Sequence, residues 1–168
     1  IFPLEKVRLS LIKEKNESFQ YVTLEDCFKN NEVPEELKGD NQIYCNNCNS
    51  LADALSSNKL YNCPEVLTII LNRGKGIEFD VKINFVEILD LRNYIEYKNT
   101  GYIYKLIGVI THIGESSMSG HFISYCKDPI KGDWYKYNDA IVNKVENFQN
   151  EVINFAMPYL LFYQKQHG

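Results

Sequence analysis

The sequence predicts an α+β fold that is mainly antiparallel β, with two or three short helices. Twelve tyrosines and nine phenylalanines among 168 residues are many, and aromatic side chains favour strands. Along the chain, eight or nine short segments have the apolar pattern of strands, whereas only two or three have the pattern of helices. Such a mixture is typical of an antiparallel-sheet α+β domain.

The N-terminal part of the chain predicts one strand and one helix. Apolar residues alternate over residues 2–12, which predicts a strand. Thr23, with Asp26 three residues later, matches a capping box, so we expect a helix to begin there. The side chains expected to point inward are Leu24, Cys27 and Phe28. On that apolar face, Cys27 is predicted to be a buried structural thiol rather than a nucleophile.

Cys45 and Cys48 form a C-x-x-C motif after a polar, turn-rich segment. Two such thiolates can hold one metal ion, but tetrahedral zinc needs four ligands, and the chain has no second C-x-x-C. The motif is therefore half of a zinc knuckle, a relict pair of loop cysteines, or a redox pair. The redox alternative requires a preceding strand and a following helix of the thioredoxin type.

The remaining elements follow from apolar segments between turns. The continuous apolar run 66–71 predicts a central strand that is buried on both faces. Residues 112–120 are small and polar, which predicts a flexible loop that could admit an extended substrate. The other predicted elements are two short strands within 79–95, a strand at 102–111, a hairpin at 119–139, a short helix at 146–153 and a final strand at 155–163.

Size, charge and cysteine content narrow the class of protein. The chain has 19.6 kDa, enough for one domain with a core, and its net charge of −4 argues against a general nucleic-acid binder. It shows no membrane-spanning run and no signal peptide. Five irregularly spaced cysteines favour a reducing compartment, so we expect a cytoplasmic or nuclear protein. Because the chain starts at Ile1 with a segment that reads as a strand, we expect a piece of a longer protein.

The hairpin at 119–139 carries the strongest functional signal. Its two strands are expected to bring His121 beside Asn138 and Asp139. A histidine next to an amide or a carboxylate is the base and orienting residue of a nucleophilic triad. His112 is the rival base, but no acid or amide follows it at hairpin distance, so we expect an ordinary hydrogen-bonded histidine at a strand end. His167 is expected to be a solvated tail residue.

Several segments, in order along the chain, resemble one known family. SGHFISYCK followed by WYKYNDAIV is similar to the histidine box of ubiquitin-specific proteases, GHYxAY…WYxFNDxxV. The other similar segments are TLEDCF, YCNNCNSLADA, CPEVLTIILNRG, YKLIGVITHIG and PYLLFYQK. Because these segments cover nearly the whole chain, the resemblance is specific.

The resemblance implies a single partial catalytic domain of the papain-like cysteine protease fold. Residues of about 1–70 would form fingers-like strands with half a zinc knuckle, and about 71–168 a palm-like sheet with the histidine box. The family hydrolyses the bond after the C-terminal glycine of ubiquitin, so the implied partners are ubiquitin or ubiquitinated proteins, not nucleic acid or a membrane. The implied roles are His121 as the general base, Asn138 and Asp139 as its orienting residues, and Ser119 and Gly120 as substrate-binding residues.

Departures from the family pattern limit this expectation. The cysteine box of the family is absent, so the nucleophile is expected upstream of this chain, and Cys126 is rejected because it shares a strand with His121. The chemistry needs no cofactor, and structural zinc is expected only if a missing upstream knuckle completes Cys45 and Cys48. LKRF has become LNRG at 71–74, and GHY has become GHF. The alternatives are a non-catalytic ubiquitin-binding module of the same fold and a β-rich structural domain with an incidental hairpin.

Overall fold

An eight-stranded sheet organises the chain in this computed structural model, which describes residues 1–15, 21–74, 81–97, 101–116, 119–154 and 157–167. The elements are β1 (Phe2–Pro3), α1 (Leu4–Lys15), β2 (Tyr21–Thr23), α2 (Leu24–Glu32), β3 (Glu35–Leu37), a 3-10 turn (Gly39–Asn41), β4 (Ile43–Cys45), β5 (Ser50–Ala52), β6 (Ala54–Ser56), β7 (Val66–Asn72), β8 (Lys82–Asn84), β9 (Ile88–Asp90), β10 (Ile103–Ser116), β11 (Ser119–Lys127), β12 (Trp134–Asn138), β13 (Ile141–Lys144), a π-helical turn (Gln149–Ile153) and β14 (Pro158–Lys165). The α+β class with few helices agrees with the sequence prediction.

The long strand β10 lies at the centre of the sheet. The strand order is β1-β7-β14-β10-β11-β12-β13, with β9 pairing with β10 beyond this path. All of these pairs are antiparallel except β1 with β7. One face of the sheet forms the core with α1, α2, β8 and β9, and its largest buried side chains include Tyr104, Leu106, Leu161 and Tyr163. Their burial is the main stabilising contribution of this face.

The strand predicted over residues 2–12 is wrong, because α1 covers most of that segment. The straight-chain residues Leu, Glu, Lys and Arg dominate it, and they favour a helix. Glu5 and Arg8, one turn apart, form a salt bridge, and Leu4 and Val7 are buried at helical spacing. The apparent alternation therefore reflects one buried stripe of a helix.

The predicted start of α2 is confirmed, and its capping box is complete. The backbone N–H of Asp26 donates to Thr23 Oγ1 at 3.0 Å, and the backbone N–H of Thr23 donates to Asp26 Oδ2 at 2.9 Å. As predicted, Leu24, Cys27 and Phe28 are buried on the inward face. These bonds satisfy backbone donors at the helix start, where no helical carbonyl is available.

Replacing Thr23 by Ala should lower the free energy of unfolding by about 1 kcal/mol, because one of the two capping bonds is lost. Urea unfolding followed by circular dichroism measures this difference. Ser10→Ala is the matched control, since Ser10 is exposed within α1 and should change stability by less than about 0.5 kcal/mol. Equal stabilities of the Thr23 variant and the original chain would contradict the role of the cap.

Residues 35–56 form two nested hairpins outside the large sheet. β3 pairs with β6 at the base, and β4 pairs with β5 at the tip. The Cys45–Cys48 turn connects β4 to β5, so no helix follows the motif as a thioredoxin-type redox pair requires. The side chains of these short strands are exposed or only partly buried.

The other strand predictions are confirmed where the structure describes the chain, whereas residues 79–80 and 155–156 lie outside the described residues. Three further predictions, for a strand, a loop and a helix, differ from the structure. β7 is not buried on both faces: Ile69 and Leu71 are buried, whereas Val66 and Ile70 are exposed, because described residues cover only one face of this strand. The predicted loop at 112–120 is largely strand, since β10 continues to Ser116 and β11 begins at Ser119. The pairing contains a bulge between Ile113 and Ser116, and residues 117 and 118 lie outside the described residues. The short helix is a π-helical turn.

Arg73, which is buried, connects the end of β7 to the C-terminal strand β14 through a hydrogen bond. Its Nε donates to the carbonyl of Pro158 at 2.8 Å, and its Nη1 donates to the carbonyl of Val81 at 2.7 Å. This residue is the arginine retained in the LNRG segment.

None of the helices in the described part of the chain has the length and hydrophobicity of a membrane-spanning helix.

Candidate active site

His121 and Asn138 meet on one face of the β11–β12 hairpin. β11 and β12 pair through Ser124 and Tyr137, so Asn138 follows opposite Ile123. His121 is two residues before Ile123 and therefore on the same face, diagonal to Asn138. The ring Nε2 of His121 lies 2.6 Å from Oδ1 of Asn138. The sequence prediction that these two side chains lie together is thus realised in the structure.

This contact defines which ring nitrogen can act as a base. An amide oxygen only accepts hydrogen bonds, so Nε2 of His121 must carry the proton that is donated to Asn138. In a neutral imidazole, the other nitrogen, Nδ1, then has the free lone pair. The arrangement can therefore accept a proton at Nδ1 while Asn138 fixes the ring orientation.

Asp139 is a weaker partner of the same ring. Its Oδ2 lies 3.7 Å from Nε2 of His121, which is beyond a good hydrogen bond, and its side chain is 82% exposed. Asp139 has φ of 52°, in the left-handed region that Asp adopts more readily than most residues. It begins the turn from β12 to β13, so this conformation reverses the chain immediately after Asn138.

Gly120 precedes His121 at a position that no larger side chain fits. Its φ is 157°, and a Cβ added there would lie 2.1 Å from Cε1 of the His112 ring and 2.6 Å from the carbonyl oxygen of Ile113. Ser119 and Gly120 are exposed at the start of β11. Their assignment to substrate binding stays a prediction.

His112 is not at a strand end, as the sequence suggested, because β10 continues to Ser116. It pairs with Phe122 and therefore points to the face opposite His121. Its ring is buried and packs against the rings of Phe122, at 5.0 Å between centroids, and Tyr159, at 5.8 Å. Sequence reasoning missed its contact with Gly120; the available signal was a pair of glycines, Gly114 and Gly120, flanking the bulge.

His167 is exposed, as the sequence predicts. In addition, its Nε2 lies 2.8 Å from Oε2 of Glu65, so the two side chains form an ion pair when His167 is protonated. It lies beside the end of β14, and Tyr104 and Lys165 pair across β10 and β14 at that end of the sheet. His121 pairs at the other end of β10, with Ile113. His167 therefore takes no part in the candidate site.

The cysteines of the chain are not placed to serve His121 as a nucleophile. Cys126 lies five residues along the same strand and therefore on the opposite face, and burial raises its pKa. Burial raises the pKa of Cys27 to about 12, which agrees with its prediction as an inert thiol. Cys63 precedes β7 near the far end of β10, and Cys45 and Cys48 lie in the outer hairpin.

Cys45 and Cys48, the predicted half of a zinc knuckle, lie at either end of the β4–β5 turn region. The backbone N–H of Cys48 is the main cause that lowers the pKa of Cys45, and the Cys48 thiol and the backbone N–H of Asn47 act in the same direction. Zinc binds thiolates, so a lowered pKa suits a ligand. In the described part of the chain, however, no group of three or more His, Cys, Asp or Glu side chains could hold a metal ion. The two thiols alone do not complete the site.

A cavity of about 550 Å³ lies beside β10 and β11, and Ile113, which pairs with His121, contributes to its lining. It is lined by Thr111, Ile123, Tyr125 and Lys136 together with Glu151 from the π-helical turn. The hydroxyl of Thr111 is buried and has no hydrogen-bond partner among the described residues. Buried hydroxyls in proteins are nearly always hydrogen-bonded, so this one is suited to a polar group that enters the cavity.

Thr111→Val should raise the free energy of unfolding of this chain by about 1 kcal/mol, because it removes a buried hydroxyl without a partner and keeps the side-chain shape. Urea unfolding measures the change. The control is Thr68→Val at an exposed position of β7, for which we expect a change within about 0.5 kcal/mol. A loss of stability in the Thr111 variant would show that its hydroxyl is already satisfied.

Most of the chain is similar in sequence to one known protein family. The model of the family "Ubiquitin carboxyl-terminal hydrolase" matches residues 10–163. Ubiquitin carboxyl-terminal hydrolase 48 of Rattus norvegicus is 38% identical over 130 residues, which are 73% of this chain and 12% of the relative. The protein of the same name from Gallus gallus is 37% identical over 130 residues, 73% of this chain and 13% of that relative. The chain thus spans about an eighth of these curated relatives.

A solved structure also matches closely. A chain in the SAGA Ubp8/Sgf11/Sus1/Sgf73 DUB module bound to ubiquitin aldehyde superposes with a TM-score of 0.70 and 30% identity. The match covers 88% of this chain and 35% of that chain. The corresponding module bound to monoubiquitin gives the same TM-score with 33% identity, covering 86% of this chain and 33% of that chain. The sheet and the hairpin therefore have the fold of a larger enzyme domain.

Proposed function

Because this chain belongs to the ubiquitin carboxyl-terminal hydrolase family, we propose that it supplies the general base of a cysteine-type deubiquitinase. The observation that carries this proposal is the 2.6 Å contact between His121 Nε2 and Asn138 Oδ1. In this arrangement Nδ1 keeps its lone pair and can accept a proton as a general base does. The substrate would be ubiquitin joined through its C-terminal glycine to an amine.

The reaction proceeds in two acyl-transfer steps. His121 accepts the proton of a cysteine thiol at Nδ1, and the thiolate attacks the carbonyl carbon of the terminal glycine. As the tetrahedral intermediate collapses, the C–N bond breaks and the imidazolium returns its proton to the leaving lysine amine. His121 then takes a proton from water, which cleaves the thioester and releases the ubiquitin carboxylate and the thiol. A thiol and an imidazole suffice for these steps, so the chemistry needs no cofactor.

The nucleophile belongs, in this proposal, to a segment that precedes Ile1 in a longer protein. Support comes from the placement of the five cysteines away from His121 and from the cavity beside Ile113, the residue that pairs with His121. The same longer protein would carry the second pair of zinc ligands, if zinc is bound. Residues of about 1–70 would be the fingers-like part and about 71–168 the palm-like part of one partial catalytic domain.

Turnover of ubiquitin with a fluorogenic amine at its C-terminus tests the proposal. The 168-residue chain alone should give no turnover above buffer, whereas the longer protein that contains it should release the fluorophore and react covalently with a ubiquitin C-terminal electrophile. Binding of ubiquitin by the longer protein without turnover or labelling would instead indicate a non-catalytic ubiquitin-binding module. Turnover by the chain alone that disappears in Cys126→Ala would show that Cys126 is a nucleophile after all.

A further inference from the structure

We propose that His112 is a positioning residue for His121. It acts from the opposite face of the sheet, where its ring covers Gly120 and thereby fixes the backbone that carries the base. The inference rests on the proposed function of His121 as the general base. His112 itself touches neither substrate nor nucleophile in this proposal.

Contacts across the β10–β11 pair carry the inference. A Cβ on Gly120 would lie 2.1 Å from Cε1 and 2.2 Å from Nε2 of His112, so the ring tip occupies the place of the missing side chain. A Cβ on Gly114 would lie 3.0 Å from the same Cε1 and 2.6 Å from the carbonyl oxygen of Ser119. One imidazole therefore covers two glycines that face each other at the bulge.

The ring of His112 is itself held on several sides. Phe122 and Tyr159 contact it edge-on and at a tilt, and these two rings contact each other at 5.2 Å. The backbone N–H of His112 donates to the carbonyl of Met157. Only 7% of His112 is exposed, whereas 46% of the side chain of His121 is exposed. The buried His112 ring thus lies directly behind the backbone that carries the much more exposed His121.

The consequence for His121 follows from the conformational freedom of glycine. Gly114 and Gly120 have φ of 155° and 157°, and glycine can leave such a conformation more easily than any other residue. His121 is attached to Gly120, so a rotation there moves its imidazole relative to Asn138. Misplacement of a catalytic group by about 1 Å can lower a rate by about 10²-fold. Covering Gly120 therefore preserves the 2.6 Å contact.

Nitrogen-detected NMR of the histidine rings in this chain tests the inference. In the original chain, His121 should be a single tautomer protonated at Nε2. In His112→Ala we expect a mixture of tautomers, because the ring no longer stays against Asn138. His112→Phe keeps a flat ring over Gly120 and should restore the single tautomer. Val109→Ala, a buried position of β10, is the control for lost stability and should leave the tautomer unchanged.

Each outcome separates two possibilities. If the original chain shows mixed tautomers, the proposed function of the His121–Asn138 pair fails. If His121 is a single tautomer both in the original chain and in His112→Ala, then His112 is merely structural and only the present inference fails. Should His112→Ala not fold, His112→Leu keeps a buried apolar group without a flat ring. Mixed tautomers in the Leu variant support the inference, and a single tautomer overturns it.

Steady-state kinetics of the longer protein gives an independent readout. His112→Ala should lower kcat by about tenfold or more with little change in KM, because the base is affected and ubiquitin binding is not. His112→Phe should recover most of kcat. A rise in KM at unchanged kcat would overturn the positioning role.

Discussion

His121→Ala should lower kcat/KM of the longer protein for a ubiquitin C-terminal substrate by about 10³-fold or more. Without the imidazole, the described hairpin has no second histidine to take the thiol proton, so the reactive thiolate forms to a much smaller extent. Fluorogenic turnover measures the loss, and labelling by a ubiquitin C-terminal electrophile measures the reactivity of the nucleophile. His121→Gln, which keeps a polar side chain but no base, should be equally inactive.

The control for this prediction is His167→Ala. His167 is exposed and pairs with Glu65 near the far end of the sheet, so its removal should leave turnover unchanged. Ubiquitin binding should also survive in His121→Ala, because the substitution removes a proton acceptor rather than a binding surface. Efficient labelling of His121→Ala would contradict the site assignment.

Asn138→Ala should lower kcat by about 10²-fold, with a small change in KM. The substitution removes the oxygen at 2.6 Å that fixes both the ring orientation and the tautomer of His121. Asn138→Asp keeps an oxygen acceptor and should retain more activity than the Ala variant. Stopped-flow or steady-state turnover of the longer protein provides the measurement.

Asp139 provides the matched comparison for Asn138. Its carboxylate is farther from the ring, at 3.7 Å, so Asp139→Asn should reduce kcat by only a few fold. Asn is the suitable replacement because it adopts the left-handed conformation at φ of 52°. A larger loss in Asp139→Asn than in Asn138→Ala would make Asp139 the principal orienting residue.

The hairpin that carries the base could be predicted from the sequence because its signals are local. A polar turn between two alternating segments determines which residues pair, and the period of two places His121 and Asn138 on one face. The capping box at Thr23 is similarly local, and the structure confirms it. In both places, the strand pairing or the helix start follows from residues that are close together in the sequence.

Other features depend on contacts that a pattern does not contain. In residues 2–12, Leu4 and Val7 fit a helical stripe as well as an alternating strand, and only helix propensity separates the two. The exposure of Val66 and Ile70 depends on what covers the outer face of the sheet. The contact of His112 with Gly120 depends on a bulge in β10, which no single segment specifies.

The contact between His121 and Asn138 also has a consequence for the order of folding. His121 and Asn138 are 17 residues apart, whereas Arg73 and Pro158, which join β7 to β14, are 85 residues apart. Closing the longer loop costs about 1.4 kcal/mol more in chain entropy, so the hairpin should form before the sheet is complete. In hydrogen-exchange experiments, we expect partly open states to lose β7 while the hairpin still protects its amides. The hairpin that carries His121 and Asn138 would thus form early, before β14 holds His112 in place against Gly120.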